Sequence, residues 1–403
     1  MIDALDIEAA RERLRGAIYE TPCAYSQTLS ELTGTQCFVK LENLQMTGSF
    51  KERGAANLLL QLDARERGRG VVTASAGNHG LAVAFHAARL GFPAVIVMPE
   101  WAPLIKVTSA RHHGAEVVLT GANFDEACTR ARELERERRL VFVHPFDDLR
   151  VIAGQGTIGL ELLEQRPDLD AVLMAVGGGG LAAGVAVAIK SRRPEVRVIG
   201  VQAEAHPAMR RALDAGERIT LPPAPTIADG IAVRQVGEQT FELVRKHVDD
   251  VVTVSEEELA NAILLLLEIE KTVVEGAGAA PLAALVNREL GLADARVVLV
   301  LSGGNIDVTM LSRIIERGLV KDGRLVRLGV LLRDRPGELA RLTTLIAGER
   351  ANILHIGHNR AFSQAPIGDT EVQLTLETSG RPQIERLLAR LREDGYRVTE
   401  RSS

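Results

Sequence analysis

Short runs of β-branched and aliphatic residues alternate with helical patterns through roughly the first 320 residues of the chain. An alternation of strands and helices predicts an α/β fold whose sheets are mostly parallel. The runs are apolar along their whole length, which is typical of parallel strands that are covered on both faces. The predicted strands are residues 70–74, 94–98, 116–119, 171–176, 197–201 and 296–301, with helices such as 80–90 and 121–139 between them.

The pattern changes after residue 318, where a polar stretch contains the turn-like pair Asp322-Gly323. A strand, a helix, two strands, a helix and a strand follow, which is the order of the ferredoxin-like fold. We predict a large domain over residues 1–320 (with a smaller subdomain at about 45–150 inserted in it), a linker at 321–326 and a small domain at 327–403. The predicted elements of the small domain are residues 325–332, 337–350, 352–360, 371–377, 381–393 and 397–400.

Composition and charge favour a cytoplasmic protein without nucleic-acid or membrane partners. The formal net charge of -5 provides no long-range attraction to anionic polymers or membranes. The cysteines Cys23, Cys37 and Cys128 form no CxxC pair, so a disulfide framework is not expected. The charged N-terminus is typical of an amphipathic helix rather than a signal peptide, and the apolar residues 262–267 are too few to span a bilayer.

The first segment that suggests chemistry is residues 48–54 (GSFKERG), in which Lys51 stands where a turn opens a predicted helix over residues 51–62. A helix N-terminus carries a positive partial charge, which disfavours the ammonium form of a nearby lysine. A neutral amine is what Schiff-base chemistry requires. The alternative is a solvated surface lysine, since most lysines are of that kind.

Three further segments each follow the end of a predicted strand. Residues 73–80 (TASAGNHG) open a helix, whose free N–H groups either bind an anion such as a carboxylate or form an ordinary capped turn. The four glycines at 177–180 also precede a helix, and they favour a backbone cradle for phosphate over a flexible turn. Residues 301–305 (LSGGN) end the last strand of the large domain. Because ligands of α/β sheets bind beyond the carboxyl ends of strands, we expect these segments to converge on one cleft.

In this order and spacing, the motifs GSFKERGA, SAGNHG, GGGG and SGGN resemble the fold-type II pyridoxal-phosphate (PLP) enzymes, and most closely the threonine and serine dehydratases. Residues 226–233 (TIADGIAV) also resemble a stretch of the threonine dehydratases. The resemblance covers essentially residues 1–320 and implies two α/β subdomains with parallel sheets. The remainder, with DRPGEL at 334–339 and Ala351-Asn352-Ile353, resembles an ACT domain, a ferredoxin-like module that often binds amino acids.

The resemblance implies a role for each matching residue. Lys51 would carry the cofactor as a Schiff base and would act as the general base on the α-proton of the substrate. The cofactor site would contain Phe50 beside the ring, Asn78 at the phenolic oxygen, Ser302 at the pyridine nitrogen, and Gly177, Gly178, Gly179 and Gly180 around the phosphate. The loop that takes the substrate carboxylate would contain Ser75, Gly77 and His79.

The implied reaction is the dehydration and deamination of L-threonine to 2-oxobutanoate and ammonium, with L-serine as a further substrate. Ser302 is neutral where many PLP enzymes have an aspartate, and the weaker electron sink suits elimination. Ala76 stands where racemases of the family have a serine, and it has no proton to deliver, so we favour a dehydratase over a serine racemase. A serine- or 3-hydroxyaspartate-specific ammonia-lyase is also compatible with the motifs. A non-catalytic amino-acid sensor is disfavoured because the cofactor-site residues are all present.

Two further expectations concern a cation and regulation. Glu204 resembles a cation ligand of the family, but Arg210 stands where another acidic ligand belongs, so we expect at most a monovalent cation held largely by carbonyls. The ACT domain is expected to bind a branched-chain amino acid, such as isoleucine or valine, near Gly337 and Asn352. A purely structural dimerisation role is the alternative. For the whole protein we expect a homodimer or homotetramer.

Overall fold

The apolar runs of the first 300 residues form strands in the computed structural model, which describes residues 2–359 and 365–401. Six of these strands correspond to the predicted ones. Of the other four strands, Cys23–Tyr25 and Val141–Phe142 have only three and two residues, which are too few to show a pattern. In chain order the strands are β1 (Cys23–Tyr25), β2 (Gln36–Lys40), β3 (Val71–Ala74), β4 (Ala94–Met98), β5 (Glu116–Leu119), β6 (Val141–Phe142), β7 (Ala171–Ala175), β8 (Arg197–Ala203), β9 (Asp250–Val254) and β10 (Arg296–Val300).

The larger sheet of this region has six strands in the order β1-β2-β10-β7-β8-β9. All neighbours are parallel except β1 and β2, which pair antiparallel at one edge. Every residue of β7 is buried, as expected for a parallel strand that is covered on both faces. Because β10 and β7 are hydrogen-bonded neighbours, the segments that follow them, residues 301–305 and 177–180, start side by side.

The smaller sheet has four parallel strands in the order β5-β4-β3-β6. β3 and β4 are buried throughout. Glu116 and Leu119 of β5 are exposed because this strand lies at the edge of the sheet, so the prediction that residues 116–119 form a buried strand is correct for the strand and wrong for its burial. Two sheets with parallel strands confirm the predicted α/β class.

Helices connect the strands and begin where the sequence supplies capping side chains. Asp3 and Ser255 each accept a hydrogen bond from the third helical N–H, and the carboxylates of Asp6 and Glu258 accept one from the backbone N–H of the cap residue. The predicted helices are present with ends shifted by a few residues. In chain order the helices are α1 (Ala4–Leu14), α2 (Gln27–Thr33), α3 (Lys51–Leu60), α4 (Ala64–Arg69), α5 (Asn78–Leu90), α6 (Leu104–His112), α7 (Phe124–Arg138), α8 (Leu149–Gln165), α9 (Gly180–Lys190), α10 (Ala208–Ala215), α11 (Glu238–His247), α12 (Glu256–Ile269) and α13 (Gly276–Asn287), with short 3-10 helices at Glu42–Leu44 and Asp229–Ile231.

The chain divides into two compact units, Met1–Asp307 and Val308–Ser403. The four strands of the second unit form an antiparallel sheet in the order β12-β13-β11-β14, which confirms the predicted ferredoxin-like arrangement. Its core includes alternate strand residues such as Leu328 and Val330, with Leu387 from a helix. The elements are α14 (Val308–Lys321), β11 (Leu325–Arg333), α15 (Glu338–Gly348), β12 (Asn352–Asn359), β13 (Asp369–Glu377), α16 (Arg381–Glu393) and β14 (Arg397–Arg401).

The boundary between the units differs from the predicted one. α14 packs on β11, so residues 308–320 group with the second unit. The predicted linker at 321–326 contains the end of α14, a turn and the start of β11. Arg360, predicted as the end of a strand, lies outside the described residues. In the described parts of the chain, no helix combines the length and the apolar character needed to cross a bilayer.

Candidate active site

Lys51 lies at the first position of α3, directly after a segment that is held against the end of β10. The Phe50 N–H donates to the Ser302 carbonyl with an N···O distance of 3.0 Å. Ser49 forms an isolated antiparallel bridge with Gly303. These backbone contacts join the lysine segment to the SGGN segment, although about 250 residues separate them in sequence. Two of the predicted cofactor-site segments are therefore in direct contact.

The Lys51 side chain is partly exposed, but burial desolvates its amine. Its Nζ donates to the Pro145 carbonyl at 2.9 Å. Burial lowers the pKa of Lys51 from 10.5 to about 8, and the charge of Glu275 opposes this shift. A lowered pKa for Lys51 was also predicted from the sequence, on the ground that the lysine lies at the positive end of a helix. The main cause in the structure is desolvation of the ammonium.

A network of amide side chains connects Asn78 to the same region. The Asn78 Nδ2 donates to the Glu275 carboxylate at 2.8 Å, and its Oδ1 accepts from the Asn305 Nδ2 at 2.8 Å. Asn305 also donates to the carbonyl of Thr47, which precedes the lysine segment. The network fixes the amide plane of Asn78 at the start of α5 and holds four chain segments together.

Glu275 is a site residue that sequence reasoning missed. It is the N-cap residue of α13 and is buried beside Asn78. Burial raises the pKa of Glu275 from 4.5 to about 7, and the Asp229 carboxylate raises it as well, whereas Asn78, Lys106 and Lys51 oppose the rise. The only signal in the sequence is a charged residue directly before a run of glycine and alanine, which predicts a buried helix start.

The four glycines form the turn between β7 and α9, and their surroundings leave little room for side chains. Gly179 has a φ of +98°. A Cβ atom on Gly178 would lie 2.4 Å from the Phe146 ring, and one on Gly180 would lie 2.9 Å from the Phe146 carbonyl. Thr240 Oγ1 donates to the Gly178 carbonyl at 2.6 Å. The run therefore presents bare backbone at the N-terminus of α9, an arrangement that suits phosphate.

A cleft with about 610 Å³ of empty space opens beside Asn78. Predicted segments 73–80 and 301–305 both contribute to it, as expected. The glycine run does not line this cleft. It packs against Phe146, and the neighbouring residue, Pro145, accepts the hydrogen bond from Lys51. The lining residues are Ala76, Gly77, Asn78, Leu81, Met98, Ile105, Lys106, Ser109, Asn305, Ile306 and Asp307.

The predicted carboxylate loop differs in one respect from expectation. Gly77 lines the cleft, and its N–H donates to Ser75 Oγ at 3.2 Å. The His79 ring is buried outside the cleft, where Nε2 donates to the Val143 carbonyl at 3.0 Å and Nδ1 has no partner. Burial, together with the Lys51 charge, lowers the pKa of His79 to about 3. This ring is neutral at physiological pH, and His79 is not among the residues that line the cleft.

Glu204 lies in an ion pair rather than in a cluster of ligands. Its carboxylate is 3.4 Å from the Arg288 guanidinium, and more than half of its side chain is exposed. Arg210 pairs with Asp214 and lies 3.5 Å from Asp250. Among residues 2–359 and 365–401, no group of three or more His, Cys, Asp or Glu side chains could hold a metal ion. A cation held by backbone carbonyls stays a prediction.

In the second unit, the two predicted effector residues lie apart. Gly337, with a φ of +95°, begins α15 and lines a cavity that is formed by residues 332–339 together with His358 and Thr370. Asn352 is at the other end of β12, where its Nδ2 donates to Glu377 at 3.2 Å. Within one chain, a site at this cavity therefore includes Gly337 and excludes Asn352.

The chain is similar to known proteins along almost its whole length. A family model described as "Pyridoxal-phosphate dependent enzyme" matches residues 14–303. An L-threonine ammonia-lyase from Thermotoga maritima is 50% identical over 398 residues, which are 99% of either chain. Among solved structures, the processed form of threonine deaminase isoform 2 from Solanum lycopersicum has a TM-score of 0.73 at 38% identity, over 77% of this chain and 91% of that one. Maize serine racemase has a TM-score of 0.75 at 34% identity, over 79% and 98%. The chain belongs to the family of pyridoxal-phosphate-dependent enzymes.

The residues of the site fit this cofactor. Lys51 supplies a desolvated amine that can bond to an aldehyde, and the glycine turn supplies a backbone cradle that side chains would fill. The Ser49 hydroxyl is buried and has no hydrogen-bond partner among the residues that the structure describes. A buried polar group without a partner is uncommon, and a bound ligand is one way to satisfy it.

Proposed function

We propose that this chain converts L-threonine to 2-oxobutanoate and ammonium and that it also acts on L-serine. The observation that carries the proposal is the desolvated Lys51 amine, whose pKa of about 8 leaves a useful neutral fraction near physiological pH. The full-length similarity to an L-threonine ammonia-lyase supports threonine as the substrate.

The cofactor, when bound, withdraws electrons from the α-carbon of the substrate and so acidifies the α-proton. We assign its attachment to the Nζ of Lys51 and its phosphate to the backbone of Gly177, Gly178, Gly179 and Gly180. Phe50 would pack beside the ring. Asn78 and Ser302 would bind its polar edge, and their positions at the start of α5 and beyond β10 support this assignment.

The chain's own residues then handle one proton and one carboxylate. Lys51 accepts the α-proton of threonine, and the β-hydroxyl leaves with a proton as water. The released enamine reacts with water to give 2-oxobutanoate and ammonium, so the overall reaction neither consumes nor yields electrons. Backbone N–H groups of the loop around Ser75, Gly77 and His79 would hold the carboxylate, since the His79 ring is directed elsewhere.

Ala76 favours elimination over racemisation in this proposal. It lines the cleft, and its methyl group cannot deliver a proton to the second face of the α-carbon. The similarity to maize serine racemase is a reason to measure racemisation directly, because the two reactions share a scaffold. A serine- or 3-hydroxyaspartate-specific ammonia-lyase is the second candidate.

The test is release of 2-oxo acid from L-threonine, L-serine and 3-hydroxyaspartate by the PLP-loaded enzyme. We expect threonine to react fastest. Lys51→Ala should abolish turnover and also the covalent cofactor adduct that borohydride reduction and peptide mass spectrometry detect. Lys246→Ala, at an exposed position of α11, is the matched control. A Lys51→Ala enzyme that keeps both properties, or faster interconversion of L- and D-serine than elimination, would overturn the proposal.

For the second unit, we infer binding of a branched-chain amino acid at the cavity beside Gly337. The free N–H groups at the start of α15 suit its carboxylate, and Leu332 and Leu339 suit an aliphatic side chain. Isoleucine and valine should give heat on titration into the full-length protein. A Gly337→Val variant, strained at a φ of +95°, should not give that heat. No heat with any amino acid would leave the domain a structural, dimerising role.

We also infer a cytoplasmic homodimer or homotetramer. The three cysteines are free, which suits a reducing compartment. β12 is an edge strand of its sheet and exposes Leu354 and Ile356, which suits contact with another copy of the chain. Sedimentation of the purified protein measures the assembly, and a monomer would contradict it.

A further inference from the structure

The cleft beside Asn78 is lined by one member of a charge pair, whose two residues come from different parts of the first unit. Lys106 of α6 lines the cleft, and its Nζ is 3.0 Å from the Asp229 carboxylate. α6 packs beside the smaller sheet, whereas Asp229 belongs to the 3-10 helix that contacts α13. The only other ionisable residue among those that line the cleft is Asp307.

The charges of both residues influence the buried carboxyl of Glu275. Asp229 raises the pKa of the Glu275 carboxyl and Lys106 lowers it, so both charges are close enough to influence this group. Glu275 in turn accepts a hydrogen bond from Asn78. The backbone next to Asp229 also packs on this carboxylate, since a Cβ on Gly230 would lie 3.2 Å from its Oε1.

We propose that Lys106 and Asp229 together determine substrate specificity by charge. Paired, they are neutral, and the cleft then favours an amino acid with an uncharged side chain over one with a second carboxylate. Lys106 without its partner would attract that carboxylate, and Asp229 without its partner would repel it. The inference rests on the proposed function and explains how the site would prefer threonine over 3-hydroxyaspartate.

The experiment compares the binding of two unreactive amino acids, L-2-aminobutyrate and L-aspartate, to the PLP-loaded enzyme. Dissociation constants come from the change in cofactor absorbance, so no turnover is needed. Asp229→Asn should shift the ratio of the two constants at least tenfold toward L-aspartate, a change of about 1.4 kcal/mol. Lys106→Met should shift it in the opposite direction. The double variant should return near the parent ratio, because the cleft is again without net charge from the pair.

A matched control separates charge from simple closure of the cleft. Asp125 of α7 and Arg234 also join the two parts of the unit, at 2.5 Å, but this pair contributes no residue to the cleft, whereas the other pair contributes Lys106. Asp125→Asn should leave the ratio unchanged. If Asp229→Asn and Lys106→Met weaken both ligands equally, the pair is only a structural clamp and the inference is wrong.

The inference and the proposed function fail in different ways. If the two single variants shift the ratio in opposite directions but the parent enzyme releases no oxo acid from L-threonine, the proposed function alone is overturned. Parent enzyme that turns over L-threonine, with a ratio that stays fixed in both single variants, would overturn the specificity inference alone.

Discussion

Replacing Lys51 by methionine is expected to stabilise the cofactor-free protein at neutral pH, although the substitution removes the proposed attachment point for the cofactor. Burial lowers the pKa of this lysine from 10.5 to about 8, so the folded chain carries a penalty whenever the amine is protonated. A difference of that size corresponds to about 3 kcal/mol in the free energy of unfolding. Methionine fills similar space without a charge and should recover most of this energy at pH 7.

The lowered pKa of Lys51 determines the pH range in which Lys51→Met is more stable than the parent. Between pH 8 and 10.5 the unfolded parent binds a proton that the folded parent has released, so the stability of the parent rises with pH in this window. The advantage of Lys51→Met should therefore be full below pH 8 and should disappear as the pH passes 10.5.

Urea unfolding of cofactor-free parent and variant, followed by circular dichroism at pH 7 and pH 10, measures the difference. The transition of the first unit is the relevant one, because a protein with two units need not unfold in a single step. Lys246→Met, at an exposed position, controls for the loss of a positive charge. An advantage that is absent at pH 7, or that grows as the pH rises, would refute the reasoning.

The other predictions concern the cradle, the buried carboxyl and the core. Gly178→Ala places a Cβ 2.4 Å from the Phe146 ring, so the dissociation constant for PLP should rise at least tenfold in a fluorescence titration, and unchanged affinity would contradict the cradle. Glu275 has a pKa raised to about 7, which means that its ionisation costs stability as the pH rises from 4.5 through 7. In Glu275→Gln this pH-dependent loss of stability should vanish from thermal unfolding curves. Arg53→Met leaves the fully buried carboxylate of Glu42 without its partner at 2.7 Å and should lower the free energy of unfolding by about 3–5 kcal/mol; a loss below about 1 kcal/mol would show that the pair contributes little.

Features that follow from chain direction could be predicted from the sequence. Because the carboxyl ends of parallel strands meet at one edge, the glycine run after β7 and the SGGN segment after β10 were expected to converge on one cleft. The strand pairing places the starts of the two segments side by side, although the glycine run does not line the cleft beside Asn78. The direction in which a side chain points could not be predicted in the same way. His79 stands in a predicted ligand loop, yet its ring hydrogen-bonds to the Val143 carbonyl, and no local pattern distinguishes this orientation from its opposite.

Glu275 was missed for a related reason, since its importance depends on partners that are distant in sequence. Nothing near it in the chain indicates that Asn78, about 200 residues earlier, donates to its carboxylate. In the second unit, the positions of the two predicted effector residues could not be predicted from the sequence either. Gly337 and Asn352 are close in sequence, but the strand between them carries them to opposite ends of the β12–β13 pair.

The surroundings of Lys51 and Glu275 have a consequence that neither residue shows alone. Burial disfavours both charged forms, so it lowers the pKa of the lysine and raises that of the glutamate, and the values of about 8 and about 7 approach each other. Their mutual attraction opposes both shifts, so the protonation states of the two groups are coupled. A site that removes a proton from a substrate and later releases it needs groups of this kind, because a base with an ordinary lysine pKa would stay protonated. In the proposed reaction, the burial that makes the charged forms of these groups costly is therefore also what would make them useful as proton acceptors.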